Sequence, residues 1–141
     1  MKKVLVTGGR EYFNREVAFR VLDEENPDEV VCGAATGADQ LALDWAYARE
    51  RIKHPHPANW YPKGTLDRSA GHKRNAAMLV AHPDISLVIA FPGGKGTAGM
   101  VQMAQVKGIP VREVPLQIET PQERQQAIKS LEELFGELLD K

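Results

Sequence analysis

Apolar positions along the chain switch repeatedly between short continuous runs and helical spacing. Lys3 to Thr7 is a valine-rich run ending at Gly8-Gly9, which predicts a buried first strand with a turn behind it. A helix is expected from about Glu16 to Glu24. Glu29 to Cys32 reads as a second buried strand closed by Gly33, after which Leu41, Trp45 and Ala48 recur at helical spacing. The third strand, Ile52-Lys53-His54-Pro55-His56-Pro57, carries two prolines that cannot donate ladder hydrogen bonds, so it belongs at a sheet edge. Asn59 to Arg68 shows no periodicity, and a helix is predicted from near Ser69 to the residue before Pro83. Leu87 to Phe91 is the fourth strand. Thr97 is expected to cap the next helix, which Gly108 and Pro110 close before a fifth strand around Val111. Thr120-Pro121-Gln122-Glu123 is a capping box with proline at its first helical position. Ile128, Leu131, Leu134, Phe135 and Leu138 then form the stripe of an amphipathic helix, about residues 121–138, expected to lie across the sheet.

Strands alternating with helices predict an α/β fold: one doubly wound parallel sheet of about five strands with helices on both faces. The order 3-2-1-4-5 puts the proline-bearing strand at an edge and makes strands one and four neighbours. A crevice then opens between their carboxyl ends, where Gly8-Gly9-Arg10 faces Pro92 to Thr97.

The 141 residues, 43% hydrophobic and 26% charged, suit a single domain over residues 1–141. With 18 basic and 19 acidic residues the formal charge is -1, so no global field draws the chain to nucleic acid or an anionic membrane, and an anion site has to be local. Cys32 is the only cysteine and reads as a small buried hydrophobe. With no signal peptide or membrane-length apolar run in the sequence, a cytoplasmic protein is expected.

The candidate chemistry lies in loops. Pro92-Gly93-Gly94-Lys95-Gly96-Thr97 follows a strand and opens a helix. Glycines there let backbone N–H groups approach an anion at the positive end of the helix dipole, so a phosphate-bearing ligand is the leading expectation. Gly8-Gly9-Arg10-Glu11 forms a second loop, which alone reads equally as an ordinary turn leaving the first strand; its place at the crevice favours a site in which Arg10 is expected to meet phosphate and Glu11 to contact ribose or serve as a base. Gly33 to Asp39 forms a third; Asp39 reads equally as a helix cap and as a ligand contact, and Gly37 belongs to the same turn. Gly71-His72-Lys73-Arg74-Asn75 clusters donors without a nearby acid and suits an anion-facing patch ahead of the competing reading, a solvated helix face.

Other patterns carry less. Gly94 to Gly99 satisfies the dinucleotide expression, with Glu113 following, but it stands after the fourth strand rather than the first, which argues against redox use of NAD. His54 and His56 share a strand face without a third ligand at metal spacing, so no metal is expected. Trp60, beside Pro57 and Pro62, is assigned to packing ahead of base stacking.

Together, Gly8-Gly9-Arg10, Gly37-Ala38-Asp39, Ala58-Asn59-Trp60, Gly71 with Arg74-Asn75 and Met78, and Ala90 through Thr97 resemble the YspA/cpYpsA-related branch of the SLOG superfamily over about Lys2 to Val114. The resemblance implies a Rossmann-like domain whose glycine loops bind a nucleotide or nucleotide-derived ligand, such as an ADP-ribose-like molecule, with no required cofactor and with homodimers among relatives. The superfamily includes LOG-type phosphoribohydrolases, lysine-decarboxylase-like, which pair H-x-R with P-G-G-x-G-T-x-x-E. His72-Lys73-Arg74 matches the first part, so Arg74 is similar to their catalytic arginine, but Met100 stands where their glutamate does. A thioether cannot take up a proton or stabilise a cationic sugar, so the resemblance carries binding further than catalysis. An N-glycosidic hydrolase or transferase would use Arg74 with Glu11 and Asp39 as substitute carboxylates. A third reading, after the DNA-processing protein A branch, is single-strand binding through Lys63, Arg68, Lys73 and Arg74, which the near-neutral charge does little to favour.

Overall fold

The computed structural model describes residues 1–116, with Lys129, Glu132, Glu133 and Gly136 beyond them; apart from those positions, the helix expected over 121–138 lies outside the described residues. The elements in chain order are β1 (Lys3–Thr7), α1 (Arg15–Glu25), β2 (Glu29–Cys32), α2 (Ala38–Ala48), β3 (Ile52–Pro55), α3 (Ala70–Ala81), β4 (Leu87–Ala90), α4 (Lys95–Val106) and β5 (Val111–Glu113). The five strands are parallel and ordered β3-β2-β1-β4-β5, as the sequence pattern predicts.

Strand alternation divides the core into two layers. Val4, Val6, Val30 and Ile89 pack with Val21 and Leu22 of α1 and with Leu41 and Trp45 of α2. Leu5, Val31 and Val88, which sit side by side in register, pack instead with Met78 and Leu79 of α3 and Met100 and Ala104 of α4. Each fully buried aliphatic side chain of this kind contributes roughly 1.5–3 kcal/mol. The near-continuous apolar strands therefore reflect a sheet covered on both faces.

β3 is exposed along most of its length and stops at Pro55, so Pro57 falls in the connection to α3. Three local expectations are corrected. Thr97 does not cap α4: the helix begins two residues earlier, Gly94 is the N-cap, and Thr97 is buried in the first turn. Ala48 is exposed, and Ala42 and Ala46 join Leu41 and Trp45 on the buried face of α2. The donor cluster on α3 does have an acid beside it, because Lys73 Nζ pairs with Asp67 Oδ2 at 2.8 Å.

Candidate ligand-binding site

Three small-residue loops meet at the carboxyl ends of the strands because their glycines lack side chains. Gly9 N donates to the Pro92 carbonyl at 2.9 Å, which joins the loop after β1 directly to the loop after β4. The Gly9 carbonyl accepts from Ala38 N at 3.1 Å and Tyr12 N at 3.2 Å, adding the start of α2 to the seam. A Cβ at residue 8 would stand 2.5 Å from Ala38 Cβ and 2.9 Å from Phe91 Cβ. Gly37 has φ +77°, and a Cβ there would run into the Gly9 carbonyl; one at residue 93 would strike Thr97 Oγ1 and approach Gly9 N to 2.7 Å. Gly8, Gly37 and Gly93 are thus required by the protein itself.

Above this seam opens a cleft of about 520 Å³. Gly71, Arg74, Asn75 and Met78 line one wall at helical spacing along α3, and Gly94, Gly96 and Gly99 line another at the start of α4. Gly94, Gly96 and Gly99 differ from the seam glycines: a Cβ on any of them would meet nothing of the protein within 4 Å. No side chain caps α4, so its first-turn amides keep their capacity to donate to an acceptor from outside the fold.

Arg74 is half-buried at the floor. Its Nη1 donates to the carbonyls of Gly33 and, at 3.3 Å, His56, while Nε donates to Asn75 Oδ1 at 2.9 Å. Asn75 Nδ2 reaches the Gly96 carbonyl at 3.5 Å, so one chain of contacts runs from the end of β2 to the first turn of α4. Burial lowers the pKa of Arg74, while Asp39 opposes that shift. Asp39 is 6% exposed, and its Oδ2 accepts from Ala35 N at 3.1 Å. Burial raises its pKa, against the pull of the Ala35 amide and of Arg74. Burial likewise pushes the Cys32 thiol up to about 12, so it is not a nucleophile near neutral pH.

Of the residues singled out from sequence, Gly8, Gly9, Arg10, Asp39, Arg74, Asn75, Gly94, Lys95, Gly96 and Thr97 line the cleft. Gly37 is buried beneath it in the seam. Glu11, Pro92 and Gly93 line a neighbouring shallow depression with Tyr12, so Glu11 stands apart from Asp39 and Arg74. Arg68 lines the cleft, whereas Lys73 turns toward Asp67 and Lys63 is exposed on the loop. Gly33 also lines the cleft, and its role was hidden in the sequence: a Cβ there would run into the Arg74 guanidinium. Met100 is fully buried in the α3–α4 core layer, away from the cleft. Among the described residues, no three His, Cys, Asp or Glu side chains are grouped to hold a metal ion, and no helix is long and apolar enough to cross a membrane.

Residues 2–61 match the YspA, cpYpsA-related SLOG family. The chain is also 35% identical over 123 residues to the Gene 61 protein of Mycobacterium phage D29, covering 79% of this chain and 94% of that protein. The chain belongs to the YspA, cpYpsA-related SLOG family. Solved structures share the fold of this SLOG domain. DNA processing protein A from Streptococcus pneumoniae superposes with a TM-score of 0.68 at 19% identity, covering 84% of the SLOG chain. The chain spans about half of that protein's length, 52%. The Moco carrier protein from Chlamydomonas reinhardtii superposes with a TM-score of 0.58 at 15% identity, covering 97% of this chain and 99% of that one.

Proposed function

We propose that this SLOG domain binds or senses a nucleotide or nucleotide-derived ligand, an ADP-ribose-like molecule included. The observation that carries this reading is the bare wall formed by Gly94, Gly96 and Gly99, where the protein itself leaves the space of three side chains unused beside an uncapped helix start. Phosphate rests there on backbone amides, with Arg10 and Arg74 supplying positive charge and Asp39 accepting from ribose hydroxyls. A thermal-shift panel of nucleotides tests the reading, since a ligand at 100 times its Kd adds about 2.7 kcal/mol of stability. Retention of the shift by Gly94→Asp, or no shift with any phosphate compound, refutes it. A homodimer, which the family resemblance implies, is checked by sedimentation of the same samples.

The presence of Asp39 and Arg74 in the lining of one cleft favours a second reading, cleavage or transfer at an N-glycosidic bond. A carboxyl group with a raised pKa supplies the general acid that a departing base needs, and Arg74 steadies phosphate or leaving-group charge. Release of free base from nucleoside monophosphates, abolished by Asp39→Asn and by Arg74→Ala with the fold retained, would establish it. The fold shared with DNA processing protein A motivates a single-strand binding arm in the same panel. Its signature is affinity that falls as salt rises.

A further inference from the structure

Arg10 and Trp60 form a clasp across the mouth of the cleft. The Arg10 guanidinium carbon lies 5.0 Å from the centre of the Trp60 ring, joining the loop after β1 to the long connection between β3 and α3. The indole is seated: its edge abuts the first turn of α3 at Gly71, where a Cβ would come within 3.3 Å of Cη2, and the Trp60 carbonyl accepts from Asp67 N at 2.7 Å. The guanidinium is less committed. Among the described residues no carboxylate stands within ion-pair distance of Arg10, and the residue is exposed.

The clasp borders two spaces. On one side is the central cleft; on the other is a recess of about 280 Å³ whose walls include the small apolar side chains Ala34, Ala35, Pro57 and Ala58. Arg10, Trp60, Gly33 and Arg74 belong to both. A flat slot with an aromatic face, apolar walls and a displaceable guanidinium, opening onto a glycine-lined anion site, matches a ligand with a planar base at one end and phosphate at the other.

We infer that Trp60 is the stacking platform for the base of the ligand, covered by Arg10 until a base arrives. The inference rests on the nucleotide reading above and narrows it from phosphate compounds in general to those carrying a purine or pyrimidine. A base sliding onto the indole exchanges a solvent-exposed cation–π contact for stacking and leaves Arg10 available to phosphate.

Tryptophan emission gives the test, because the other tryptophan, Trp45, is 1% exposed and donates from Nε1 to Asp23 at 2.8 Å in the layer formed by α1 and α2. The intact chain is titrated with the four common nucleoside monophosphates, ribose 5-phosphate and inorganic phosphate, following both emission and affinity. At least one monophosphate is expected to quench Trp60 and to bind about tenfold or more tighter than ribose 5-phosphate. Trp60→Ala should erase that preference while ribose 5-phosphate and inorganic phosphate still bind, and Trp60→Phe, which keeps an aromatic face, should retain most of it. Equal binding of monophosphates and ribose 5-phosphate, or a preference that survives Trp60→Ala, overturns the platform while leaving the phosphate site standing. Failure of every compound to bind removes the nucleotide reading and the platform together.

Discussion

The guanidinium of Arg74 occupies the volume that a side chain at residue 33 would need, and its Nη1 donates to the Gly33 carbonyl. Glycine at the end of β2 therefore sets where the cleft's half-buried cation sits. Gly33→Ala should expel Arg74 from the floor; because the guanidinium ends a flexible side chain it can swing aside, and the cost is that of its lost hydrogen bonds, about 1 kcal/mol. The variant should also reduce nucleotide-induced thermal stabilisation to the level of Arg74→Ala. Thermal melts of both variants with and without nucleotide check the equivalence.

The glycines of the cleft separate into two classes that substitution should distinguish. Gly93→Ala drives a Cβ into Thr97 Oγ1 and should destabilise the fold by roughly 1–3 kcal/mol. Gly96→Ala, in the first turn of α4 with open space around it, should stabilise by about 0.5–1 kcal/mol through helix propensity. The same change should weaken nucleotide binding. Urea unfolding and ligand titration on the two variants read out the opposite signs.

Met100 occupies the position that holds the motif glutamate in LOG-type phosphoribohydrolases, yet its side chain is fully buried among Leu5, Val31 and Met78. Met100→Glu is expected to destabilise by about 3–5 kcal/mol, by loss of packing and burial of an unpaired acid. It should not create base-releasing activity, which product analysis of nucleoside monophosphate incubations would reveal.

A histidine pair makes part of the stability sensitive to acid. His82 Nδ1 stands 3.3 Å from Lys3 Nζ, and its Nε2 stands 2.8 Å from His56 Nε2. Charged lysine only donates, so His82 accepts at Nδ1 and carries its proton on Nε2, facing a neutral His56. Burial first, then neighbouring positive charge, lowers both pKa values below 6.5: His54 and Arg74 act on His56, and Lys3, His54 and His56 act on His82 against Asp84. As pH falls below 6.5 the unfolded chain takes up protons that the folded protein resists. Stability contributed by the pair is therefore fully present above that pH and lost as pH drops through the folded values. Urea midpoints from pH 8 to pH 5 should fall on the acid side, and His82→Gln should flatten the decline.

Much of this architecture was legible in the chain because local and global signals agree. Prolines in Ile52 to Pro57 forced that strand to an edge, and the edge assignment in turn made β1 and β4 neighbours and brought Gly9 to Pro92. What escaped depends on contacts distant in sequence. Nothing local shows that Gly33 makes room for Arg74, that Lys73 is neutralised by Asp67 across a turn, or that His56 finds His82. Thr97 misled because threonine is a good cap. Here glycine at residue 94 takes that place and leaves the helix amides uncovered.

Native mass spectrometry of gently purified wild type and Gly94→Asp tests the central claim most directly. The account predicts that wild type carries, or takes up from an added panel, a nucleotide-sized mass that yields a base and phosphate on fragmentation, and that Gly94→Asp does not. A wild-type protein that stays unliganded across the panel, or a nucleotide retained by Gly94→Asp, would contradict it.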